Sequence, residues 1–419
     1  MRLKQQIIGI LRWIEKYSKT DMVYLASGGF WLALGKIIFN VSGFLLVIAF
    51  ANFLPKQVYG TYQYVLSVAG ILAIPTLSGM NTAIVRSVAR GYEGSLLPAL
   101  KTQLRWGVLG GIAGLIIAGY YFLNNNIALT TSFLIVAVFV PLMNSFMIYE
   151  AFWIGKKRFD IQVKYSAIIR IVSTIALIAS LLLTKNLIFI FLIYFASYTT
   201  LYFIFLQITI KKIPPNAKQD PSVISYGKHL SLIDIVAGVA SQLDKILIWY
   251  FLGAESLAIY FFAVSPVQQV RAFFKALRPL TLAKLSQYNN EKSKVTLLKK
   301  IVKLFPVIAL IIVIYIFLAP YAYQVFFPQY MKSVLYSQLY ALSLLSVPQI
   351  LFIIFLTSQK KTKELYIFYS IFYFTQILLL AILLPLYGML GAVIALTATQ
   401  FLNFGILLFL FKKAKIIGL

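Results

Sequence analysis

Three cations lie close together in the stretch SPVQQVRAFFKALRP, which covers residues 265–279. Arg271, Lys275 and Arg278 follow the spacing i, i+4 and i+7, so a helix over this stretch carries all three on one face. The planar guanidinium of arginine forms paired hydrogen bonds with phosphate oxygens, and lysine adds a flexible point charge. These residue types at this spacing favour a helix face that binds an anion, and Gln268 extends the same polar stripe.

The chain as a whole is far more apolar than a soluble protein. Of its 419 residues, 61% are hydrophobic and 12% are charged, whereas soluble domains have about 45–50% apolar and about 25% charged residues. Twelve stretches reach the roughly 20 apolar residues of a transmembrane helix and are too long for barrel strands. The sequence therefore predicts an all-α integral membrane protein. The predicted helices cover residues 29–53, 60–82, 104–123, 127–153, 165–184, 187–210, 229–252, 256–282, 303–326, 334–358, 365–386 and 389–411.

The basic residues predict which way the helices run. If successive loops alternate between the two sides of the membrane, 29 of the 38 basic residues fall on one side. The opposite side holds three, namely Lys56, Lys185 and Lys332. By the positive-inside rule the basic side is cytoplasmic, and so are both termini. The net charge of +27 is then a topology signal with some attraction to anionic lipid, and it requires no nucleic-acid partner.

The remaining six cations fall inside the predicted helices. Charges at this depth are costly and face a water-filled cavity or a partner. Three acids lie at comparable depth, Glu150, Asp234 and Asp244, so the helix interior carries an excess of positive charge. The six cations are Lys36, Arg170, Lys245, Arg271, Lys275 and Arg278.

Several of these charges have more than one interpretation. Lys36 and Arg170 either join an anion site or pair with Asp234 and Glu150. Arg278 is close enough to the end of its helix to snorkel to the membrane surface.

An internal repeat predicts how the helices are arranged. At an offset of 198 residues, a polar or small stripe of helix 1 aligns with a similar stripe of helix 7. With six helices in each half, the halves have the same orientation and are related by an axis along the membrane normal. We therefore expect a cavity where helices 1, 2, 7 and 8 meet, with Asn40, Ser241 and Gln268 among its polar lining. The aligned stripes are Lys36, Asn40, Gly43 and Asp234, Gly238, Ser241.

The same pattern predicts four segments along the chain. Residues 1–24 contain basic and apolar positions typical of an amphipathic helix on the membrane surface. Residues 25–210 form an N-terminal six-helix bundle, 211–228 a cytoplasmic linker, and 229–419 a C-terminal six-helix bundle.

The titratable residues do not favour an enzyme. The chain has no cysteine, which excludes disulfides and thiolate metal sites, and its one histidine is His229 at the predicted start of helix 7. The predicted external loops are short and hold no acidic pair. We expect no catalytic residues, no metal and no cofactor.

Several stretches resemble a known family. Wzx-type polysaccharide or O-antigen flippases of the multidrug/oligosaccharidyl-lipid/polysaccharide (MOP) exporter superfamily are similar to this chain at LPKQVYGTYQYVLSVAGILAIPTLSGMNTAIVRSVARG (54–91), at three motifs within 225–286 and at LPLYGMLGAVIAL (384–396). The three motifs are SYGKHLSL, QLDKILIWYFLGAESLAIY and LRPLTLAKLS. The resemblance implies twelve helices in two six-helix bundles, related by a pseudo-two-fold axis along the membrane normal, with a central cavity between them.

The resemblance also implies a substrate. Such flippases move a polyprenyl-diphosphate-linked oligosaccharide, an O-antigen or capsular repeat unit, to the outer leaflet of the bacterial inner membrane. The expected partners are this lipid-linked oligosaccharide and the bilayer, and a polysaccharide polymerase machinery is a further candidate. Asp234 and Asp244 either bind a coupling cation or proton, or only balance nearby lysines. The expected ligands of the diphosphate are Arg271, Lys275, Arg278, Lys36, Lys245 and Arg170.

Two other functions compete with this one. An ion-coupled multidrug exporter of the same superfamily has a similar architecture, but six cations against three acids oppose a cationic substrate. A membrane polysaccharide polymerase or ligase is less favoured, because the predicted loops lack catalytic groups.

Overall fold

The computed structural model describes residues 22–212, 216, 218–276, 291–359 and 361–413. Every regular element among these residues is an α-helix or a short 3₁₀ turn, which confirms the predicted all-α fold. Most of the predicted amphipathic segment 1–24 lies outside the described residues, as does Arg278.

The helices follow the order predicted from hydropathy, and we number them accordingly. They are α1 (Met22–Phe53), α2 (Lys56–Leu72 and Gly79–Ala89), α3 (Leu96–Leu123), α4 (Ile127–Phe146 and Ile148–Gly155), α5 (Phe159–Leu183), α6 (Leu187–Lys212), α7 with α8 (Val223–Ala276), α9 (Glu291–Phe326), α10 (Ser333–Ala341 and Gln349–Ser358) and α11 with α12 (Thr362–Lys413).

Two of these helices are much longer than a single membrane crossing requires. Val223–Ala276 has 54 residues, and at 1.5 Å per residue it would extend about 80 Å, against a hydrocarbon core of about 30 Å. Gly253 interrupts it with φ 80° and ψ −177°, and Gly388 interrupts Thr362–Lys413 with φ 56° and ψ −135°. Glycine adopts such angles readily because it has no Cβ. The breaks separate α7 (223–252) from α8 (254–276), and α11 (362–387) from α12 (389–413).

The count of spans follows from these breaks. Within the described residues, nine helices are long and apolar enough to cross a membrane, or ten with the bent α2. In the total of ten, Val223–Ala276 and Thr362–Lys413 each contribute one span. Each is broken at a glycine into two helices, so the total agrees with the twelve predicted spans.

Helix α2 bends in its middle. Its two parts, Lys56–Thr76 and Gly79–Ala89, differ in direction by 46°. The first part ends in a 3₁₀ turn that contains Pro75, and Leu77 after the turn has φ 60°. Proline removes a backbone donor and ends a helix, and the carbonyl oxygen of Leu77 at the bend accepts a hydrogen bond from the side chain of Gln103 on α3.

Small residues let α3 approach the bend and α4 closely. A Cβ on Gly110 would lie 2.2 Å from the carbonyl oxygen of Leu72, and a Cβ on Gly114 would lie 2.9 Å from the Cβ of Ala137. Neither distance is tolerable, so these positions require glycine. Small residues at helix contacts are the common way in which membrane helices pack.

The described residues form two compact units. One comprises 22–53 and 69–238, and its core contains the aromatic side chains Tyr149, Trp153 and Phe205. The other comprises 54–68 and 239–413, and its core includes Phe352, Phe355 and Phe411. We call them the first unit and the second unit.

The outer surfaces of the helices are strongly apolar. Ile116 is 67% exposed, Leu183 is 81% exposed and Phe317 is 70% exposed. Apolar area of this kind is unfavourable in water and is matched by lipid hydrocarbon. Together with the twelve spans, it shows a multi-pass membrane protein.

Candidate functional site

Two of the predicted anion ligands line a cavity in the second unit. This second-unit cavity has a volume of about 400 Å³ and is enclosed by α8, α10, α11 and α12. Arg271 and Lys275 come from α8, as their spacing of one helical turn predicts. Among the described residues that line it there is no aspartate or glutamate, so its charge is positive.

Neutral groups hold Arg271 at the cavity wall. Its Nη2 donates to the carbonyl oxygen of Ser343 at 3.0 Å and to the Ser343 hydroxyl at 2.8 Å. Its Cζ lies 5.9 Å from the centre of the Tyr340 ring. Its Nε is buried and has no hydrogen-bond partner within the described part of the chain. The guanidinium is therefore positioned without being neutralised.

The opposite wall of this cavity is aromatic and carries an amide pair. Phe368 and Phe372 on α11 line it, one helical turn apart. Nε2 of Gln349 on α10 donates to Oε1 of Gln400 on α12 at 3.0 Å. Sequence reasoning missed Ser343, Gln349 and Gln400, although the polar Gln349 in the apolar run VPQILFII was a usable signal. The cavity thus combines cations, amides and an apolar face.

Two other predicted ligands line a separate cavity inside the first unit. It has a volume of about 590 Å³ and lies among α1, α4, α5 and α6. Lys36 and Arg170 both line it. Arg170 donates from Nη1 to the Tyr198 hydroxyl at 2.9 Å, and its Cζ lies 4.3 Å from the Phe39 ring centre. Lys36 Nζ lies 5.7 Å from the same ring centre.

The only carboxylate among the described residues lining that cavity is Glu150. It accepts hydrogen bonds from the Ser166 hydroxyl at 3.0 Å and from Gln162 Nε2 at 3.4 Å. Neither Lys36 nor Arg170 forms an ion pair in the described ranges. Of the two interpretations open from sequence, the pairing of Lys36 with Asp234 and of Arg170 with Glu150 is therefore not observed.

The bend of α2 borders a third cavity in the first unit, which we call the Asp234 cavity. Its volume is about 420 Å³. Asp234 on α7 accepts a hydrogen bond from the Ser78 hydroxyl at 3.1 Å. Gln103 donates from Nε2 to the carbonyl oxygen of Leu77 at 3.3 Å, which turns its Oε1 away from that carbonyl. Buried Gln103 Oε1 and Asn81 Oδ1 have no hydrogen-bond partner among the residues described. The lining of this cavity therefore combines a carboxylate with amide and hydroxyl side chains.

The other acid of α7 has different surroundings. Asp244 is 7% exposed and accepts a hydrogen bond from the Tyr260 hydroxyl. Its neighbour Lys245 donates instead to Gln242 Oε1 at 2.9 Å. The two neighbours therefore contact different side chains.

The predicted polar lining residues lie outside the three cavities just described. Asn40, Ser241 and Gln268 are exposed. Their place in a central cavity stays a prediction, and so does a single diphosphate site formed by all six cations. No group of three or more potential metal ligands occurs among the described residues.

Sequence comparison identifies the family. Residues 25–277 match the family described as polysaccharide biosynthesis protein. A comparison with curated proteins finds no sequence match.

Solved structures with the same fold are membrane transporters. An inward-facing multidrug resistance MATE family transporter of the MOP superfamily has a TM-score of 0.63 and 13% identity, with 90% of this chain and 96% of that one covered. Lipid II flippase MurJ in an inward closed conformation has a TM-score of 0.64 and 15% identity, covering 92% and 88%. A MOP superfamily transporter from Pyrococcus furiosus, described as having a binding pocket of reverse polarity, has a TM-score of 0.56 and 14% identity, covering 92% and 94%.

The family match extends over more than half of the chain, and the structural matches extend over nearly all of it. The twelve spans agree with the fold of these solved transporters. The chain belongs to the polysaccharide biosynthesis protein family and is a multi-pass membrane protein whose fold is that of solved MOP superfamily transporters.

Proposed function

We propose that this protein moves a polyprenyl-diphosphate-linked oligosaccharide, such as an O-antigen or capsular repeat unit, across the bacterial inner membrane. Movement is from the cytoplasmic to the outer leaflet by alternating access, with both termini in the cytoplasm. The diphosphate binds the cations of the helix interior. The flipped product is then accessible to a polysaccharide polymerase machinery.

The observation that carries this proposal is the composition of the second-unit cavity. Arg271 and Lys275 supply positive charge at one wall, and Phe368 and Phe372 supply an apolar face at another. A lipid diphosphate has the same two parts, an anion joined directly to hydrocarbon. The guanidinium of arginine can donate two parallel hydrogen bonds to phosphate oxygens. The low dielectric of a membrane interior strengthens the electrostatic attraction between the cation and the phosphate. An apolar cation would meet repulsion from the same two residues.

The structural relatives support this class of substrate. One of them is a lipid II flippase, whose name states a lipid-linked cargo. Another is a MOP superfamily transporter described as having a binding pocket of reverse polarity, which its description links to a different function. A positive cavity in this chain agrees with an anionic cargo.

A multidrug exporter remains the second candidate, because several structures of the same fold are MATE transporters. Glu150 and Asp234 are the acids that line cavities in the first unit and would have to bind a cationic drug. Positive residues accompany Glu150, namely Lys36 and Arg170, and they oppose such binding.

For the energy source, we propose that Asp234 binds the coupling cation. The Asp234 cavity is lined by the carboxylate and by the amide residues Gln103 and Asn81, whose buried oxygens have no hydrogen-bond partner among the described residues. Hard cations such as Na⁺ prefer oxygen ligands. Asp244 is the weaker candidate because it lines none of the three cavities described above.

The test of the main proposal uses cells that lack this protein. Surface polysaccharide and the leaflet location of lipid-linked oligosaccharide are measured after complementation with wild type, Arg271→Ala and Arg271→Lys. The matched control is Arg158→Ala, since Arg158 is an arginine that lies outside all three cavities and pairs with Asp160. Protein abundance in the membrane is measured for each strain.

We expect cells without the protein to accumulate the lipid-linked oligosaccharide in the cytoplasmic leaflet. Arg271→Ala should not relieve this accumulation, Arg271→Lys should relieve it in part, and Arg158→Ala should relieve it fully. A strain that makes normal surface polysaccharide without the protein, or that gains only drug sensitivity, would refute the flippase function.

A further inference from the structure

A segment between the two predicted bundles is attached to the first unit by hydrogen bonds. Gly94 N donates to the carbonyl oxygen of Lys218 at 3.0 Å, and Asn216 Nδ2 donates to the carbonyl oxygen of Gly91 at 2.9 Å. Asp220 N donates to the Ser95 hydroxyl at 2.9 Å. The described residues of this segment, 216 and 218–222, which we call the connector, therefore lie against the start of α3.

A pocket of about 490 Å³ lies between the connector and α3. Lys101 and Arg105, one turn apart on α3, face Asn216 and Gln219 across it. Both cations are exposed, and neither forms an ion pair within the ranges that the structure describes. Like charges at this spacing repel each other. The pocket is therefore positive and lacks a counterion.

The nearby acids are occupied by other groups. Glu93 forms an ion pair with Lys156. Hydrogen bonds from Ser222, together with the charges of Arg90 and Arg86, hold the pKa of the Asp220 carboxyl below its ordinary value. Asp220 is therefore ionised near neutral pH and is held by partners other than Lys101 and Arg105.

An apolar stripe continues from the two cations along α3. Val108, Ile112 and Leu115 are 55%, 48% and 51% exposed. Steps of three or four residues from Arg105 place them on the same face of the helix. The ten residues from Arg105 to Leu115 span about 15 Å, which is half of the roughly 30 Å hydrocarbon core. The stripe thus has the length of one leaflet.

We propose that this pocket binds the phosphate headgroup of an anionic phospholipid. The headgroup lies between Lys101 and Arg105, and the acyl chains lie along Val108, Ile112 and Leu115. Charge complementarity selects an anion, and the continuous apolar stripe selects a lipid rather than a soluble anion. Next to Arg105, the ring of Trp106 also has a basic neighbour, since Lys228 Nζ lies 5.0 Å from its centre. The site is independent of the proposed transport function.

A bound headgroup would have a structural effect. It would join α3 to the connector, because Asn216 and Gln219 form the other side of the pocket. Anionic lipid should therefore stabilise the attachment of the connector to the first unit. A neutral lipid offers no net charge to the two cations and should not do so.

The test uses purified full-length protein in detergent, with phosphatidylglycerol or phosphatidylcholine added at equal concentration. Retained lipid is counted by native mass spectrometry, and the thermal unfolding midpoint is recorded. The variant is Lys101→Gln/Arg105→Gln. The matched control is Arg158→Gln/Lys164→Gln, which removes one arginine and one lysine from exposed positions of the same unit. Inorganic phosphate and glycerol phosphate are added separately to test a soluble anion.

We expect wild type and control to retain phosphatidylglycerol and to unfold at a higher temperature with it than with phosphatidylcholine. The Lys101→Gln/Arg105→Gln variant should lose both differences, and the charge-preserving variant Lys101→Arg/Arg105→Lys should keep them. Equal retention of phosphatidylglycerol by the glutamine variant and by wild type would overturn the site. A stabilisation that inorganic phosphate alone reproduces would overturn the assignment to lipid.

Discussion

One guanidinium nitrogen of Arg271 donates to two oxygens of Ser343. Nη2 lies 3.0 Å from the backbone carbonyl oxygen and 2.8 Å from the side-chain hydroxyl. The two residues are 72 positions apart, on α8 and between the two parts of α10. The contact orients the guanidinium with neutral acceptors alone, so Arg271 keeps its charge for an incoming anion.

Ser343→Ala should weaken transport through its effect on Arg271. The substitution removes one of two acceptors, while the backbone carbonyl remains. A hydrogen bond from a charged donor contributes about 1.5–3 kcal/mol, and retention of the carbonyl should preserve part of this. We expect roughly a tenfold fall in the initial rate of flipping, equivalent to about 1.4 kcal/mol, with normal abundance in the membrane.

The dependence of Ser343 on Arg271 can be measured directly. In the Arg271→Ala background, Ser343→Ala should cause no further fall in the thermal unfolding midpoint in detergent, because its partner is already absent. Additive losses in the double variant would show that Ser343 contributes in some other way.

Cysteine labelling should reveal the proposed topology. The chain has no cysteine, so single cysteines report alone. The labelled positions must tolerate a cysteine without backbone strain. Asn125 and Lys157 lie in loops but have φ values of 56° and 58°, which are unfavourable for cysteine, so we choose other positions for labelling. Cysteines at 124 and 332 should react with an impermeant reagent in intact spheroplasts, and those at 90 and 363 should react only after permeabilisation. The reverse pattern would mean that the orientation is wrong.

Most of the fold was predictable because hydropathy marks the segments that lie in the membrane, and glycine marks positions where the backbone needs a positive φ. The predicted gap between helices 7 and 8 falls around Gly253, where the backbone needs φ 80°. The predicted starts of helices 3 and 5, at 104 and 165, were too late, since α3 begins at Leu96 and α5 at Phe159. In both cases the first turns carry charged residues, which hydropathy assigns to loops although the helix continues out of the apolar layer.

The candidate site was only partly predictable. The spacing of Arg271 and Lys275 places them on one helix face, and both line the second-unit cavity. The partners depend on contacts between distant segments, such as the hydrogen bond from Gln349 to Gln400, 51 residues away. Periodicity within one helix carries no information about such contacts.

The two acids of α7 should differ in their effect on coupling. Asp234→Asn removes the only carboxylate among the described residues lining the Asp234 cavity, so we expect the dependence of transport on Na⁺ or on pH to disappear while substrate binding persists. Asp244→Asn should leave that dependence unchanged, because an amide oxygen can still accept from Tyr260. Transport by each variant is measured in vesicles across imposed Na⁺ and pH gradients. If Asp244→Asn alone abolished the ion dependence, coupling would depend on Asp244, and the proposed role of Asp234 would be wrong.

Gly253→Ala should destabilise the protein through its backbone alone. A Cβ at this position would have nothing within 4 Å, so no clash opposes the substitution. The cost arises from φ 80° and ψ −177°, a backbone conformation that costs an L-residue with a Cβ about 1–3 kcal/mol of folding free energy.

Gly405→Ala is the matched control, since Gly405 also has open space around it but lies in helical backbone. There, alanine should stabilise by about 0.5–1 kcal/mol. We therefore expect the unfolding midpoint in detergent to fall for Gly253→Ala and to stay level or rise for Gly405→Ala. Equal midpoints for both variants would mean that the break between α7 and α8 does not depend on glycine, and that the two helices can separate by another backbone path.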